Sequence, residues 1–204
     1  MKKIIFVGIL SILFVSASFA QMRIGVTAGL NASNINVKAG GISVSADYKA
    51  GFQAGLVADF GITESFSIMP ELLFTQRGSK ITDKEEGFSI NSSTTLNYLQ
   101  LPVNAAYKFD TGMGSKVFIF AGPYIGYALS GKSKTGDESV DVKFGSKDEE
   151  MKPLDFGLNV GAGFEYDKLF FKLQFNPGFY NLNNSDNYST KNTNIAVTVG
   201  YYFF

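Results

Sequence analysis

Residues 154–180 read LDFGLNVGAGFEYDKLFFKLQFNPGFY and contain two runs of alternating side chains, separated by Asp167 and Lys168. In the first run one face carries only apolar or aromatic side chains, namely Leu154, Phe156, Leu158, Val160, Ala162, Phe164 and Tyr166. The other face carries Asp155, Gly157, Asn159, Gly161, Gly163 and Glu165. A period of two is typical of a β-strand whose faces have different surroundings. The stretch therefore predicts a hairpin of two long strands.

The same alternation recurs along the chain. It predicts eight strands, over residues 22–33, 48–62, 66–79, 94–109, 116–130, 154–166, 168–182 and 191–204. Strands in soluble sheets are usually about 5 to 6 residues long, whereas a tilted strand needs about 9 to 11 residues to cross a bilayer. The lengths therefore favour strands that span a membrane.

The connecting segments alternate between short and long. Those at 63–65, 110–115 and 167–168 are short, and those at 34–47, 80–93, 131–153 and 183–190 are long and polar. Short turns at one end and long loops at the other are typical of an outer-membrane barrel. We therefore predict an all-β fold, an eight-stranded antiparallel up-and-down transmembrane β-barrel in the cell outer membrane.

A soluble barrel around an apolar cavity would show the same alternation with the apolar face inside, so a soluble periplasmic carrier is the alternative. Two observations favour the membrane. Charged residues make up 18% of the chain, below the roughly 25% usual in soluble domains. The small face is rich in glycine, which suits a crowded lumen better than a solvated surface. The apolar face is therefore predicted to contact lipid.

Aromatic residues on the apolar face support this orientation. One group lies towards the short turns, namely Phe60, Phe66, Tyr107, Phe109, Phe164, Tyr166, Phe171, Tyr201 and Phe203. A second group lies towards the long loops, namely Phe52, Phe74, Tyr127, Phe156 and Phe179. Two such bands are predicted to form the aromatic girdles at the two membrane interfaces.

The first residues indicate export. Residues 1–20 are typical of a secretory signal peptide, with Lys2 and Lys3 before an apolar core and a small-x-small cleavage site that ends at Ala20. The predicted mature barrel domain is then 21–204. Loss of Lys2 and Lys3 leaves 16 of the 18 basic residues against 18 acidic ones, so no nucleic-acid partner is predicted.

Three stretches resemble a known family. They are SIMPELLFTQRGSK (residues 67–80), LNYLQLPVNAAYKF (residues 96–109) and the final VTVGYYFF. In this order they resemble strand motifs of the PorT-like outer-membrane β-barrel family, also described as a porin family, and residues 70–72 and 98–102 are the most specific marks. The resemblance implies an eight-stranded barrel and says little about activity.

The predicted inner face carries seven charged residues along its length, Arg23, Asp59, Glu71, Arg77, Lys108, Glu165 and Lys172, and an eighth, Asp155, near its outer end. Unpaired charges out of water are costly, so we expect these side chains to form a network that fills the lumen. Asp59, Lys108, Glu165 and Lys172 are expected near the short turns, and Glu71 nearer the middle. An eight-stranded barrel encloses room for its own side chains or one small ligand. We therefore predict a structural or surface-binding protein, with a narrow or gated pore as the alternative.

Catalysis is not expected, because the chain contains no His and no Cys and His is the side chain that most readily transfers protons near neutral pH. No cofactor motif is present in the sequence. Expected partners are outer-membrane lipid, the outer-membrane insertion machinery during biogenesis, and an extracellular or envelope protein.

The longest loop, residues 131–153, holds acidic candidates for interaction, namely Asp137, Glu138, Asp141, Asp148, Glu149 and Glu150. They lack the spacing of an EF-hand loop, and the sequence leaves open whether they bind a divalent cation. Val140, Val142 and Phe144 alternate, which predicts a hairpin above the membrane whose edge could bind an extended peptide.

Two local irregularities are also predicted. Pro102 lies on the predicted inner face in mid-strand, where proline removes a ladder hydrogen bond, so we expect a β-bulge beside it. The outward series that ends at Tyr201 and Phe203 leaves Phe204 one residue out of phase.

Overall fold

The computed structural model describes residues 22–39, 42–85, 88–147, 150–184 and 188–203. The strands are β1 (Met22–Ala39), β2 (Ile42–Ser45), β3 (Asp47–Gly61), β4 (Phe66–Glu85), β5 (Phe88–Gly112), β6 (Ser115–Thr135), β7 (Glu138–Asp141), β8 (Leu154–Tyr166), β9 (Leu169–Pro177) and β10 (Tyr188–Tyr202). No helix within these ranges is long and apolar enough to cross a membrane. The predicted signal peptide, residues 1–20, and Phe204 lie outside the described residues.

Eight of the strands form a closed antiparallel ring. Their order is β1, β3, β4, β5, β6, β8, β9 and β10, and β10 pairs with β1 to complete it. Strands β2 and β7 are short extensions that pair with β1 and β6. Closure gives every ring strand two partners, so the backbone groups bond within the sheet, as a chain in hydrocarbon requires. The predicted up-and-down barrel is confirmed.

Tight turns gather at one end of the ring. Residues 62–65 connect β3 to β4, Met113 and Gly114 connect β5 to β6, and Asp167 and Lys168 connect β8 to β9. At the second turn, Gly112 and Gly114 have φ angles of 84° and 76°, which glycine adopts without steric cost. We call this the short-turn end, and the opposite end the long-loop end.

At the long-loop end, β4, β5 and β6 extend beyond their predicted ends. β4 continues to Glu85, β5 begins at Phe88, and β6 continues to Thr135. β7 pairs with the end of β6, which confirms the predicted hairpin in the long loop. β9 is shorter than predicted and ends at Pro177, whose ring nitrogen has no hydrogen to donate to the ladder.

The bulge predicted beside Pro102 is wrong. β5 and β6 keep one register from Leu101–Ile125 through Pro102–Tyr124 to Ala105–Ala121. On the other side, pairing with β4 stops at Leu73–Gln100 and resumes in the same register at Pro70–Val103. The missing amide hydrogen therefore interrupts the ladder locally without inserting a residue. A register shift between β5 and β6 lies instead between Asn97 and Tyr98.

Candidate functional site

The two faces of the ring strands have opposite character. On β8, Asp155 and Asn159 are each 1% exposed, whereas Phe156 and Leu158 are 48% and 39% exposed. The other ring strands except β6 repeat this pattern of buried polar and exposed apolar side chains, and the buried side chains of β6 are Phe118, Phe120, Tyr124 and Ala128. The apolar face is therefore outside and the polar face lines the lumen, which makes the soluble carrier with an apolar interior wrong.

Four of the predicted inner charges meet near the short-turn end. Arg23 donates from Nη1 to Glu165 Oε1 at 2.5 Å and from Nη2 to Glu165 Oε2 at 2.9 Å. Arg23 and Lys108 both donate to Asp59 Oδ2, and the Arg23 guanidinium lies 4.1 Å from the ring centre of Tyr202. Two cations and two carboxylates share these bonds, so the cluster carries no net charge and avoids the cost of an unpaired buried ion.

A layer of aromatic rings also fills the lumen. Phe118, Phe120, Phe170 and Tyr202 are buried, and they pack with Val57, Met69 and Ala106 in one apolar cluster. Alternation places Phe170 on the inner face with Lys172, but the layer as a whole was not predicted, because most large side chains were assigned to the outer face. The available signal was residues 117–120, VFIF, which are apolar at four successive positions and so place rings on both faces of β6.

Lys172 and Glu71 form a separate pair. Lys172 Nζ donates to Glu71 Oε1 at 2.6 Å, and each side chain is 1% exposed. The ammonium also lies 5.8 Å and 5.5 Å from the ring centres of Phe120 and Phe170. Lys172 lies near the start of β9, close to the short turns as expected, but its long side chain reaches past the rings to Glu71 and does not join Asp59.

Four asparagines continue from this pair around the lumen. Asn104 donates to Glu71 Oε1 at 3.2 Å, and Asn159 donates to Asn104 Oδ1 at 3.0 Å. Asn176 donates to Asn159 at 2.6 Å, and Asn194 donates to Asn176 at 3.0 Å. Each amide donates towards Glu71, and the oxygens of Asn104, Asn159 and Asn176 each accept from the next asparagine. This asparagine ladder was not predicted, since single Asn residues on separate strands carry no sequence signal of contact.

The last of the seven predicted inner charges, Arg77, lies in a third cluster. It donates to Gln100 Oε1 at 2.5 Å and to Asp155 Oδ2 at 3.4 Å. Asp155 Oδ2 also accepts from the Tyr124 hydroxyl at 3.3 Å and from Asn192 at 3.2 Å. All seven predicted lumen charges are therefore inside the ring, divided among three separate clusters rather than one network.

The long-loop end is covered by the segment that follows β7. Val142, Phe144 and Met151 pack on a buried cluster formed by Ile35, Leu96, Tyr98 and Ala128. Asn184 holds this segment from the side, because its Nδ2 donates to the backbone oxygens of Gly145, Lys147 and Glu150 at 3.1, 2.9 and 2.8 Å. The loop therefore folds over the lumen.

The acidic loop candidates do not converge. Asp137, Glu138 and Asp141 lie on the exposed hairpin, and Glu150 Oε2 accepts from the Lys147 amide at 3.1 Å. Asp148 and Glu149 lie outside the described residues. Within the described ranges, no three acidic side chains come close enough to hold a metal ion.

The sequence matches a known family over most of its length. Residues 19–186 match the family described as outer membrane protein beta-barrel domain. The chain belongs to this family. It is therefore an outer-membrane β-barrel protein, and in such barrels the short turns face the periplasm and the long loops face the exterior. No curated protein matches the chain significantly in sequence.

Solved structures resemble the barrel at low sequence identity. Neisserial surface protein A is 14% identical, with 88% of this chain and 97% of that chain covered and a TM-score of 0.46. Ail of Yersinia pestis is 15% identical, with 89% and 98% covered and a TM-score of 0.42. OprG of Pseudomonas aeruginosa is 12% identical, with 89% and 95% covered and a TM-score of 0.48. At these values the likeness does not extend to function.

Proposed function

We propose that the protein is a non-conducting barrel that presents its outer loops for binding, and that it has no catalytic role. The observation that carries this proposal is the filled lumen. Buried side chains close the lumen at three levels, namely the cluster around Arg77, the pair Lys172–Glu71 and the cluster around Arg23. Aromatic side chains pack between the Lys172–Glu71 pair and the Arg23 cluster. Ions would have to displace paired charges from a low-dielectric interior to pass, which is costly.

Conductance in planar bilayers tests this part of the proposal. The wild-type protein is expected to give no stable open-channel steps. A 16-stranded porin reconstituted in the same bilayers is the positive control, because its lumen is a water-filled channel and its steps show that the assay detects an open barrel. Stable steps from the wild-type protein would contradict the proposal.

A narrow or gated pore is the second candidate. A cavity of about 630 Å³ opens at the short-turn end and is lined by Arg23, Asp59 and Lys108 among others, so water reaches the first charge cluster from the periplasm. If this cluster were a gate, removing two of its four charges with Lys108→Met and Asp59→Leu would produce conductance. Because the aromatic layer lies beyond it, we expect no conductance from this double variant.

The binding surface we propose is the hairpin of β6 and β7. All four side chains of β7 are exposed, and a cleft of about 470 Å³ beside it is lined by Val140, Val142, Met151 and Leu182 among others. An exposed strand next to an apolar cleft suits an extended peptide, whose backbone pairs with the strand while a side chain enters the cleft. The partner would be an extracellular or envelope protein.

Cross-linking in intact cells tests this surface. A photoreactive residue at position 140 is expected to form one discrete adduct, because Val140 borders the cleft. The same residue at position 113 is the control, since Met113 is 95% exposed at the opposite end. Absence of an adduct at position 140, or the same adduct from both positions, would contradict a specific outer binding surface.

Export and insertion complete the proposal. Residues 1–20 would direct export and be removed, so the intact mass of the purified protein should correspond to a chain that starts at Gln21. Val197, Val199 and Tyr201 of β10, and Phe203 just after it, are all exposed on the outside, and we propose that the insertion machinery binds this apolar row. The narrower PorT-like affiliation stays a prediction.

A further inference from the structure

The sheet continues above the outer aromatic band on one side of the barrel. Phe74 on β4 belongs to that band, and Lys80 lies six residues further along the same strand. The β4–β5 register is constant over this stretch, from Phe74–Leu99 to Lys80–Ser93. Lys80 is therefore on the outward face with Phe74, at a height of about 15 Å above it for a tilted strand.

A row of lysine, serine and lysine crosses this face. Ser93 on β5 pairs with Lys80 on one side and with Lys134 on the other. Residues directly opposite each other in an antiparallel pair share a face, with Cβ atoms about 5 Å apart. The two exposed ammonium groups thus flank one hydroxyl group.

A second row lies beside it, nearer the membrane. Lys132 pairs with Thr95, and Lys49 Nζ donates to Thr95 Oγ1 and to Thr94 O. The Lys49 side chain crosses Gly78 to reach β5. The Cδ atom of Lys49 lies 3.2 Å from the position that a Cβ atom on Gly78 would occupy. The four ammonium groups of Lys49, Lys80, Lys132 and Lys134 therefore lie over β4, β5 and β6, a width of about 10 Å. We call these four side chains the lysine face.

Acidic residues border the lysine face without neutralising it. Asp47 pairs in register with Lys80, and Asp141 pairs with Lys132. No salt bridge joins Lys80, Lys132 or Lys134 to an acidic side chain in the part of the chain that the structure describes. Four cations against two carboxylates leave a positive surface that is open to the outside.

We propose that the lysine face binds the phosphate groups of lipids in the outer leaflet. The face stands directly above the lipid-contacting surface, and long lysine side chains extend towards the membrane interface, so headgroups of the surrounding leaflet are the phosphates that they meet. Lysine is a common phosphate ligand, and the hydroxyl groups of Ser93 and Thr95 add hydrogen bonds to phosphate oxygens. Basic residues at a membrane surface attract anionic lipids in proportion to their number.

Titration with a phosphorylated glycolipid tests the proposal. The detergent-solubilised protein is titrated with bisphosphorylated lipid A, and bound lipid is counted by native mass spectrometry. K80Q/K134Q is expected to bind about 30-fold more weakly than the wild type. The matched control is K143Q/K147Q, which removes two exposed lysines of the long loop on the same side of the membrane and is expected to change affinity less than about twofold.

Two further arms identify the ligand. Dephosphorylated lipid A is expected to bind the wild type as weakly as bisphosphorylated lipid A binds K80Q/K134Q. Heat-modifiable migration should be the same for all variants, so that a loss of affinity reports the surface and not the fold. Equal losses of affinity in K80Q/K134Q and K143Q/K147Q would overturn the proposal. Equal binding of dephosphorylated and bisphosphorylated lipid A by the wild type would also overturn it. Binding of polyglutamate in place of lipid A would also overturn it, in favour of an acidic protein partner.

Discussion

The ring of Phe170 on β9 covers Gly200, its register partner on β10, so closely that a Cβ atom at position 200 would overlap the ring. Phe120 covers Gly161 and Phe118 covers Gly163 in the same way. Glycine on one strand thus provides the space into which an aromatic ring from the next strand packs. This pairing explains why an inner face rich in glycine still yields a filled lumen.

Gly200→Ala is expected to destabilise the barrel by about 1 to 3 kcal/mol, because the added methyl group overpacks the ring of Phe170. In a Phe170→Ala background the same methyl group should cost much less, because the ring that it overlaps is absent. Gly126→Ala is the control, since a Cβ atom there would lie 3.5 Å from its nearest neighbour. Urea unfolding in lipid vesicles measures each free energy, and equal losses for Gly200→Ala and Gly126→Ala would contradict the pairing.

Leu158→Arg is expected to cost about 2 to 4 kcal/mol and to impair insertion, because it places a cation in hydrocarbon near mid-depth. Alternation alone predicts that Asn159→Ala, one residue further, is mild. The structure changes this expectation, because Asn159 bonds both Asn104 and Asn176 in the buried ladder. A cost of about 1 to 3 kcal/mol is therefore expected. An unfolding free energy within error of the wild type would show that the ladder does not stabilise the barrel.

Lys172→Met is expected to destabilise the barrel by about 3 to 5 kcal/mol, because it leaves Glu71 charged and unpaired inside the lumen. Replacing both partners, with Lys172→Met and Glu71→Leu, should recover most of that loss, since no buried charge is left. The same urea experiment on the two single variants and the double variant gives the coupling energy. Additive losses would mean that the two side chains do not act as a pair.

Asn184→Ala is expected to loosen the segment that covers the long-loop end, because three backbone oxygens lose their donor. Trypsin applied to intact cells should then cleave after Lys147 about tenfold faster, because the free energy of local unfolding of this segment is lower. Cleavage after Lys134, within the paired part of β6, is the internal control and should not change. Equal acceleration at both sites would indicate a general loss of structure instead.

Much of the fold could be predicted from the residues alone. Asp155, Asn159 and Glu165 alternate with Leu154, Phe156 and Leu158, and in a strand such a period assigns each side chain to a face. The predicted centres of all eight ring strands, and the identity of the seven lumen charges, depend only on this local geometry. Strand ends were predicted less well, because β4, β5 and β6 continue as a polar sheet in which neither face is apolar.

Contacts across the lumen depend on register and closure. Alternation shows that Lys172 and Glu71 both face inwards, yet 101 residues separate them, and only the closed ring brings β9 and β4 to opposite walls of one narrow space. The same holds for the asparagine ladder and for the row formed by Lys80, Ser93 and Lys134. A period of two is a property of one strand, whereas these contacts depend on how strands are shifted against each other. The sequence by itself therefore determined which side of each strand meets lipid. The tertiary structure decided which buried groups meet, because the interaction energy of two groups depends on the distance between them, and that distance is set by the register between strands.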